Sequence, residues 1–153
     1  MDLASGNERE VARRENPCRV NLSPDGRYLA CHTFGDDAPI PTERTLSLVP
    51  VEGGEPRELI RLPESQSFGG FTAWTPDSRS ILFWKILSPV GGKSEYWLVP
   101  LADGQPRKID LGVEGAFAVR IHPDGARVAF TAGNNKSEVW VIENLLSTLI
   151  TNK

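Results

Sequence analysis

The chain has 153 residues and a formal net charge of -3, with 39% hydrophobic and 24% charged residues. That mixture describes a folded chain rather than a disordered one, and its interspersed acids and bases leave no basic stripe of the kind nucleic acid requires. Runs such as Ile81-Leu82-Phe83-Trp84 fall far short of the roughly 20 residues of a bilayer span, so neither nucleic-acid binding nor membrane insertion is expected.

Residues 1–15 hold a turn, Leu3-Ala4-Ser5-Gly6, and then a polar strand over 7–13. They have no apolar stretch of a signal peptide. The chain as written reads as soluble and cytoplasmic, with the periplasm open to a longer parent protein. A strand over 19–22 leads to Ser23-Pro24-Asp25-Gly26 and a second strand from Tyr28. Pro fixes φ at the start of such a turn, the carboxylate takes backbone N–H groups, and Gly supplies the left-handed corner. Cys18 and Cys31 fall on the two strands of this hairpin. They read as buried free thiols before a cross-strand disulfide, and their spacing makes a metal site the weakest option.

Thr45-Leu46-Ser47-Leu48-Val49 is a buried strand by its β-branched and aliphatic content. Val51-Glu52-Gly53-Gly54 turns it into Glu55-Pro56-Arg57-Glu58-Leu59-Ile60, whose charge and Pro mark an edge strand. The series then repeats. Phe71-Thr72-Ala73-Trp74 precedes Thr75-Pro76-Asp77-Ser78, the apolar run at 81–84 follows, and Glu95-Tyr96-Trp97-Leu98-Val99 leads through Leu101-Ala102-Asp103-Gly104 to an edge strand ending at Ile109. It starts a third time with Phe117-Ala118-Val119-Arg120-Ile121, then His122-Pro123-Asp124-Gly125, the strand Arg127-Val128-Ala129-Phe130, and Glu138-Val139-Trp140-Val141-Ile142. Ser78 stands where the other two turns have Gly26 and Gly125, so that turn is expected to differ or to strain. Leu145, Leu146, Leu149 and Ile150 share one face of a short helical tail.

The Pro-Asp turns recur about every fifty residues, the period of a repeat architecture. Four strands in a meander make one propeller blade, and each blade needs neighbours to bury its faces. The expected architecture is an all-β propeller fragment of three four-stranded antiparallel blades. Its parts are an outer strand of another blade at 1–15, blades at 16–62 and 63–112, a blade lacking its outer strand at 113–144, and the tail at 145–153. Three blades do not close a ring. Truncation inside a blade at Met1 is the first reading, and a homodimer closing a six-bladed ring the second. Trp97 and Trp140 share a repeat position and are expected to pack between blades, with Trp140→Ala costing about 3–5 kcal/mol.

Ser23-Pro24-Asp25-Gly26-Arg27-Tyr28-Leu29-Ala30 and its echoes resemble the Pro-Asp-Gly repeat of bacterial TolB-like, WD-repeat-like propellers. The stretch at 127–133 with that at 137–144 resembles the C-terminal end of such propellers in sensor-type proteins. The resemblance implies a fold and little about activity: a non-catalytic interaction module, with a sensor propeller of a bacterial Ser/Thr kinase and a gating propeller of a prolyl-oligopeptidase-like peptidase as alternatives. Partners would be a protein, a small ligand or the remaining blades. No cofactor and no catalytic group is expected, since His32 and His122 lack companions and no nucleophile elbow or phosphate loop occurs. The longer loops share one end of the meander, where Asp36, Asp37, Glu64, Gln66 and Glu114 would form a mildly acidic binding face.

Overall fold

A computed structural model describes residues 6, 8–13, 18–33, 44–87, 94–113, 115–132 and 138–143. The first Pro-Asp turn joins β1 (Cys18–Leu22) to β2 (Tyr28–Thr33), and β3 (Thr45–Pro50) and β4 (Arg57–Arg61) complete an antiparallel sheet in sequence order. The second sheet holds β5 (Ser67–Phe68), β6 (Ala73–Trp74), β7 (Ser80–Ile86), β8 (Ser94–Pro100) and β9 (Arg107–Ile109). The third holds β10 (Phe117–Ile121), β11 (Arg127–Ala132) and β12 (Glu138–Glu143). The described residues contain strand and no helix, as an all-β propeller fragment requires. The tail at 145–153 lies outside them.

The three Pro-Asp turns share one hydrogen-bond scheme. Asp25 Oδ1 accepts from the Ser23 hydroxyl at 2.6 Å and from Arg27 N at 3.1 Å. Asp77 Oδ1 does the same with Thr75 and Arg79 at 2.6 and 3.0 Å. Asp124 Oδ1 accepts from Ala126 N at 2.9 Å while Oδ2 pairs with Arg127. These bonds favour the ionised form. The Ala126 N–H, then the Arg127 and His122 contacts, carry Asp124 down to about 2. Burial raises the Asp77 carboxyl, but the Thr75 hydroxyl and Arg79 N–H outweigh it.

Ser78 keeps the turn of its neighbours, with φ +58 where Gly26 has +73 and Gly125 +70. A side chain there costs roughly 1–2 kcal/mol. Its hydroxyl returns part of that by accepting from Asp25 N at 3.0 Å, which ties the first turn to the second. Ser78→Gly is therefore expected to leave stability within about 0.5 kcal/mol, and Ser78→Ala to lower it by about 1 kcal/mol. Urea melts of the two variants would show the difference, and equal midpoints would remove the bridging role.

The apolar run at 81–84 is explained by position. The second sheet is covered on both faces, so both alternate sets of β7 are buried. Ile81 and Phe83 join Ala30, Leu46, Leu48 and Val99 in a core between the first and second sheets. Leu82 and, at its edge, Trp84 join Tyr96, Val128 and Phe130 in a core between the second and third.

Four expectations change. The innermost strand of the second sheet is not continuous over 71–74. It is split into β5, opposite Lys85 and Ile86, and β6, opposite Leu82 and Ile81. Between them Gly69 N donates to Trp84 O at 2.9 Å, and the indole lies flat where a Gly69 side chain would stand: a Cβ there would meet Trp84 Cε2 at 1.8 Å. Trp84 is fixed on its other side by Tyr96, stacked at 6.0 Å and 7°. Gly69→Ala is expected to cost about 3 kcal/mol, the upper end of overpacking, in an equilibrium melt. Adding Trp84→Leu should recover part of the loss, and strict additivity would place the clash elsewhere.

The second change is covalent. Cys18 and Cys31 are joined as a disulfide with Cα atoms 5.8 Å apart, not held as free thiols. The register sets Cys31 opposite Val20 and Cys18 opposite Thr33, so the bridge runs diagonally across the β1–β2 hairpin on one face.

Third, Trp97 and Trp140 are equivalent in the repeat but not in surroundings. Trp97 sits between β7 and β9 opposite Phe83 and Lys108, with Lys85 Nζ 4.1 Å over its ring and its N–H donated to Glu95. Trp140 lies on β12, which has no strand on its far side among the described residues, and it is 50% exposed. Val139 and Val141 on the opposite face are 77% and 58% exposed.

Fourth, residues 8–13 form no strand. Arg9 instead donates to Val51 O at 2.8 Å and lies 3.5 Å from Glu52, holding this segment to the β3–β4 turn.

Candidate functional site: a cationic pocket at the inner strands

The meander places the Pro-Asp and Gly turns at one end of the sheets and the remaining connections at the other. On this second end, Glu64 is exposed and Gln66 half-buried. The Arg44 guanidinium donates to the backbone carbonyls of both residues, which ties down the 62–66 connection. Asp36, Asp37 and Glu114, the other residues of the acidic face expected from the sequence, lie outside the described residues.

A second site lies at the inner strands. The innermost strands of the three sheets converge on a cavity of about 210 Å³ lined by Arg19 and Asn21 of β1, His32 of β2, Phe71 and Thr72 ahead of β6, and Arg120 of β10. Asn21 Nδ2 donates to Thr72 O at 2.8 Å, and Trp74 Nε1 donates back to Asn21 O at 2.9 Å. Arg19 Nη1 donates to Gly70 O at 2.5 Å. A Gly70 side chain would stand 2.9 Å from that same nitrogen, so the absence of a Cβ lets the guanidinium in.

Two guanidinium groups lie against the Phe71 ring, Arg19 at 5.1 Å and Arg120 at 4.9 Å from its centroid. Cation–π attraction to one ring offsets part of their mutual repulsion. Arg120 reaches this position through an irregular strand. The β10–β11 register shifts between Phe117 and Arg120, and Ala118 has φ +54. A bulge of this kind re-aims the side chain that follows it.

His32 is 1% exposed, opposite Arg19 in the β1–β2 register and 5.9 Å from the Phe68 ring. Burial, then the charge of Arg19, lowers it to about 4, with the nearby backbone of Gly69 and Gly70 pulling weakly the other way. That backbone is not in hydrogen-bonding geometry: neither ring nitrogen of His32 has a partner, nor has the buried Thr72 hydroxyl. His32 is neutral at pH 7, so the cationic character of the cavity comes from its two arginines. Among the described residues no group of His, Cys, Asp and Glu could hold a metal ion, and no helix is long and apolar enough to cross a membrane.

None of the cavity residues was singled out from the sequence as a binding group. The available signal was an arginine on two of the three innermost strands, Arg19 and Arg120, at positions otherwise filled by small and apolar residues.

No protein-family model and no curated protein matches the chain. Solved structures do. TolB from Acinetobacter baumannii superposes with a TM-score of 0.66 at 18% identity, over 87% of this chain and 31% of that one. A protein from Agrobacterium tumefaciens assigned as TolB gives 0.60 at 19%, over 82% and 43%. The fold is that of a TolB-like β-propeller. The β-propeller domain of the Trilobed protease from Pyrococcus furiosus also matches, with a TM-score of 0.54 at 15% identity, over 85% of this chain and 40% of that one. The chain spans less than half the length of each of these structures. In a propeller the innermost strands surround a central channel, and the Arg19–Arg120 cavity is lined mainly from the innermost strands.

Proposed function

We propose that the chain is a non-catalytic interaction module of a TolB-like propeller, which offers the channel mouth and the loop end beside it to a protein or small ligand. The observation that carries this reading is the cavity, where charged, aromatic and unpartnered polar side chains from three sheets converge. Glu64 and Gln66, with Asp36, Asp37 and Glu114, would rim it. The exposed Val20 and Leu22 of the first sheet and Val139 and Val141 of the third would meet the remaining blades of the ring, in keeping with the share of each matched propeller that this chain spans. The disulfide favours an oxidising compartment, so the periplasmic alternative gains over the cytoplasmic one. Likeness to a protease propeller keeps the gating alternative in view, through fold alone.

Panning a displayed random-peptide library on the full chain tests the module reading. Binders whose hydrogen-exchange footprint covers residues 62–72 and β1 would support it. Footprints confined to β12, or no binders at all, would overturn it.

A further inference from the structure

Three observations about the cavity point to one ligand chemistry. The described residues that line it include two guanidinium groups, Arg19 and Arg120, and no carboxylate. Among the described residues no acid forms an ion pair with Arg120, which donates to the Val119 carbonyl and lies over the Phe71 ring. His32 and Thr72 line the same cavity, and the buried ring nitrogens of the one and hydroxyl of the other have no hydrogen-bond partners. Buried polar groups left unmet are uncommon in folded proteins, and each calls for an explanation such as a ligand.

We propose that this cavity binds a carboxylate group, gripped by the Arg19 and Arg120 guanidiniums and hydrogen-bonded by the His32 ring and the Thr72 hydroxyl. A planar carboxylate matches the guanidinium fork. The half-exposed Phe71 ring gives the ligand's carbon skeleton an apolar wall, which a fully hydrated inorganic phosphate would not use. The cavity volume admits a single side chain or a small acid, not a folded domain, so a protein partner would enter by an acidic side chain. The inference rests on the module reading above and adds the chemistry of its ligand.

Two carboxylate sources can be told apart by titrating the full chain, at neutral pH and about 0.15 M salt, with succinate and with an acetylated, amidated Gly-Glu-Gly peptide. Amide and imidazole NMR signals of β1, His32, Thr72 and Arg120 report binding. Saturable shifts confined to these residues are expected, with affinity falling about tenfold or more in Arg120→Gln, and held in Arg27→Gln, a control at the first Pro-Asp turn. The Arg120→Gln melting temperature should stay near that of the parent, since this side chain is exposed. A response to the peptide alone assigns the site to a protein partner, and a response to succinate alone to a free small acid. Either supports the proposal. Failure of both acids, tighter binding of inorganic phosphate, or shifts indifferent to Arg120→Gln would overturn it. If the acids fail while library peptides still footprint on β1 and residues 62–72, only the carboxylate chemistry falls and the module reading stands.

Discussion

Trp74→Ala is expected to remove about 3–5 kcal/mol of folding stability, the cost of emptying an aromatic site in a core. Trp74 is buried in the core between the first and second sheets with Ile81, Phe83 and Leu46, and its indole N–H is donated to Asn21 O on β1. The substitution therefore opens a cavity and strips a carbonyl that faces the neighbouring sheet. Trp74→Phe separates the two effects. It keeps most of the apolar volume and loses the bond, for an expected cost nearer 1–2 kcal/mol. Trp140→Ala is the contrast. With half of its surface already in water, it should cost no more than about half as much as Trp74→Ala, since burial is what the transfer contribution scales with. Equilibrium urea unfolding of the three variants would rank them, and a Trp140 loss equal to that of Trp74 would mean that the third sheet is covered in solution.

The contrast between those two tryptophans marks what was legible in the chain. Turn chemistry is local, so Pro24-Asp25-Gly26 and its echoes announce their hairpins. Ser78 shows how far that reading extends, because the departure from Gly is visible while the inter-turn bond to Asp25 that compensates for it is not. The run at 81–84 reads as a buried strand since nothing polar interrupts it. Repeat equivalence, by contrast, assigns a position within a sheet and says nothing of what stands beside the sheet, which is why Trp140 was expected to be covered. The disulfide was placed behind free thiols for a related reason. Sequence places Cys18 and Cys31 on one hairpin, and the diagonal approach depends on register. The cavity was least legible of all. Arg19, Phe71 and Arg120 come from different repeats, and they meet only where three innermost strands converge. Nothing in the sequence marks Gly69 and Gly70, while the structure uses one for the Trp84 ring and the other for the Arg19 guanidinium.

Acidification should expose the cost of keeping His32 neutral. Its pKa is about 4 in the folded chain against 6.5 for the free side chain, through burial first and the Arg19 charge second. The unfolded chain therefore binds a proton, between those two values, that the folded chain refuses. Stability then rises with pH across this window and is lost as pH falls through it. The full difference amounts to about 3 kcal/mol, reached near pH 4 and absent above about pH 7. The lowered carboxyls of Asp25, Asp77, Asp124 and Glu95 act in the same direction, but only once pH approaches or passes the ordinary carboxylate range. The two contributions are thus separable by pH. His32→Phe replaces the imidazole with a ring suited to its Phe68 neighbour and should flatten the stability profile between pH 6.5 and 4.5 while leaving the steeper acid limb in place. A profile of unchanged slope in that variant would assign the midrange loss to other groups and would return His32 to the role of a packed ring.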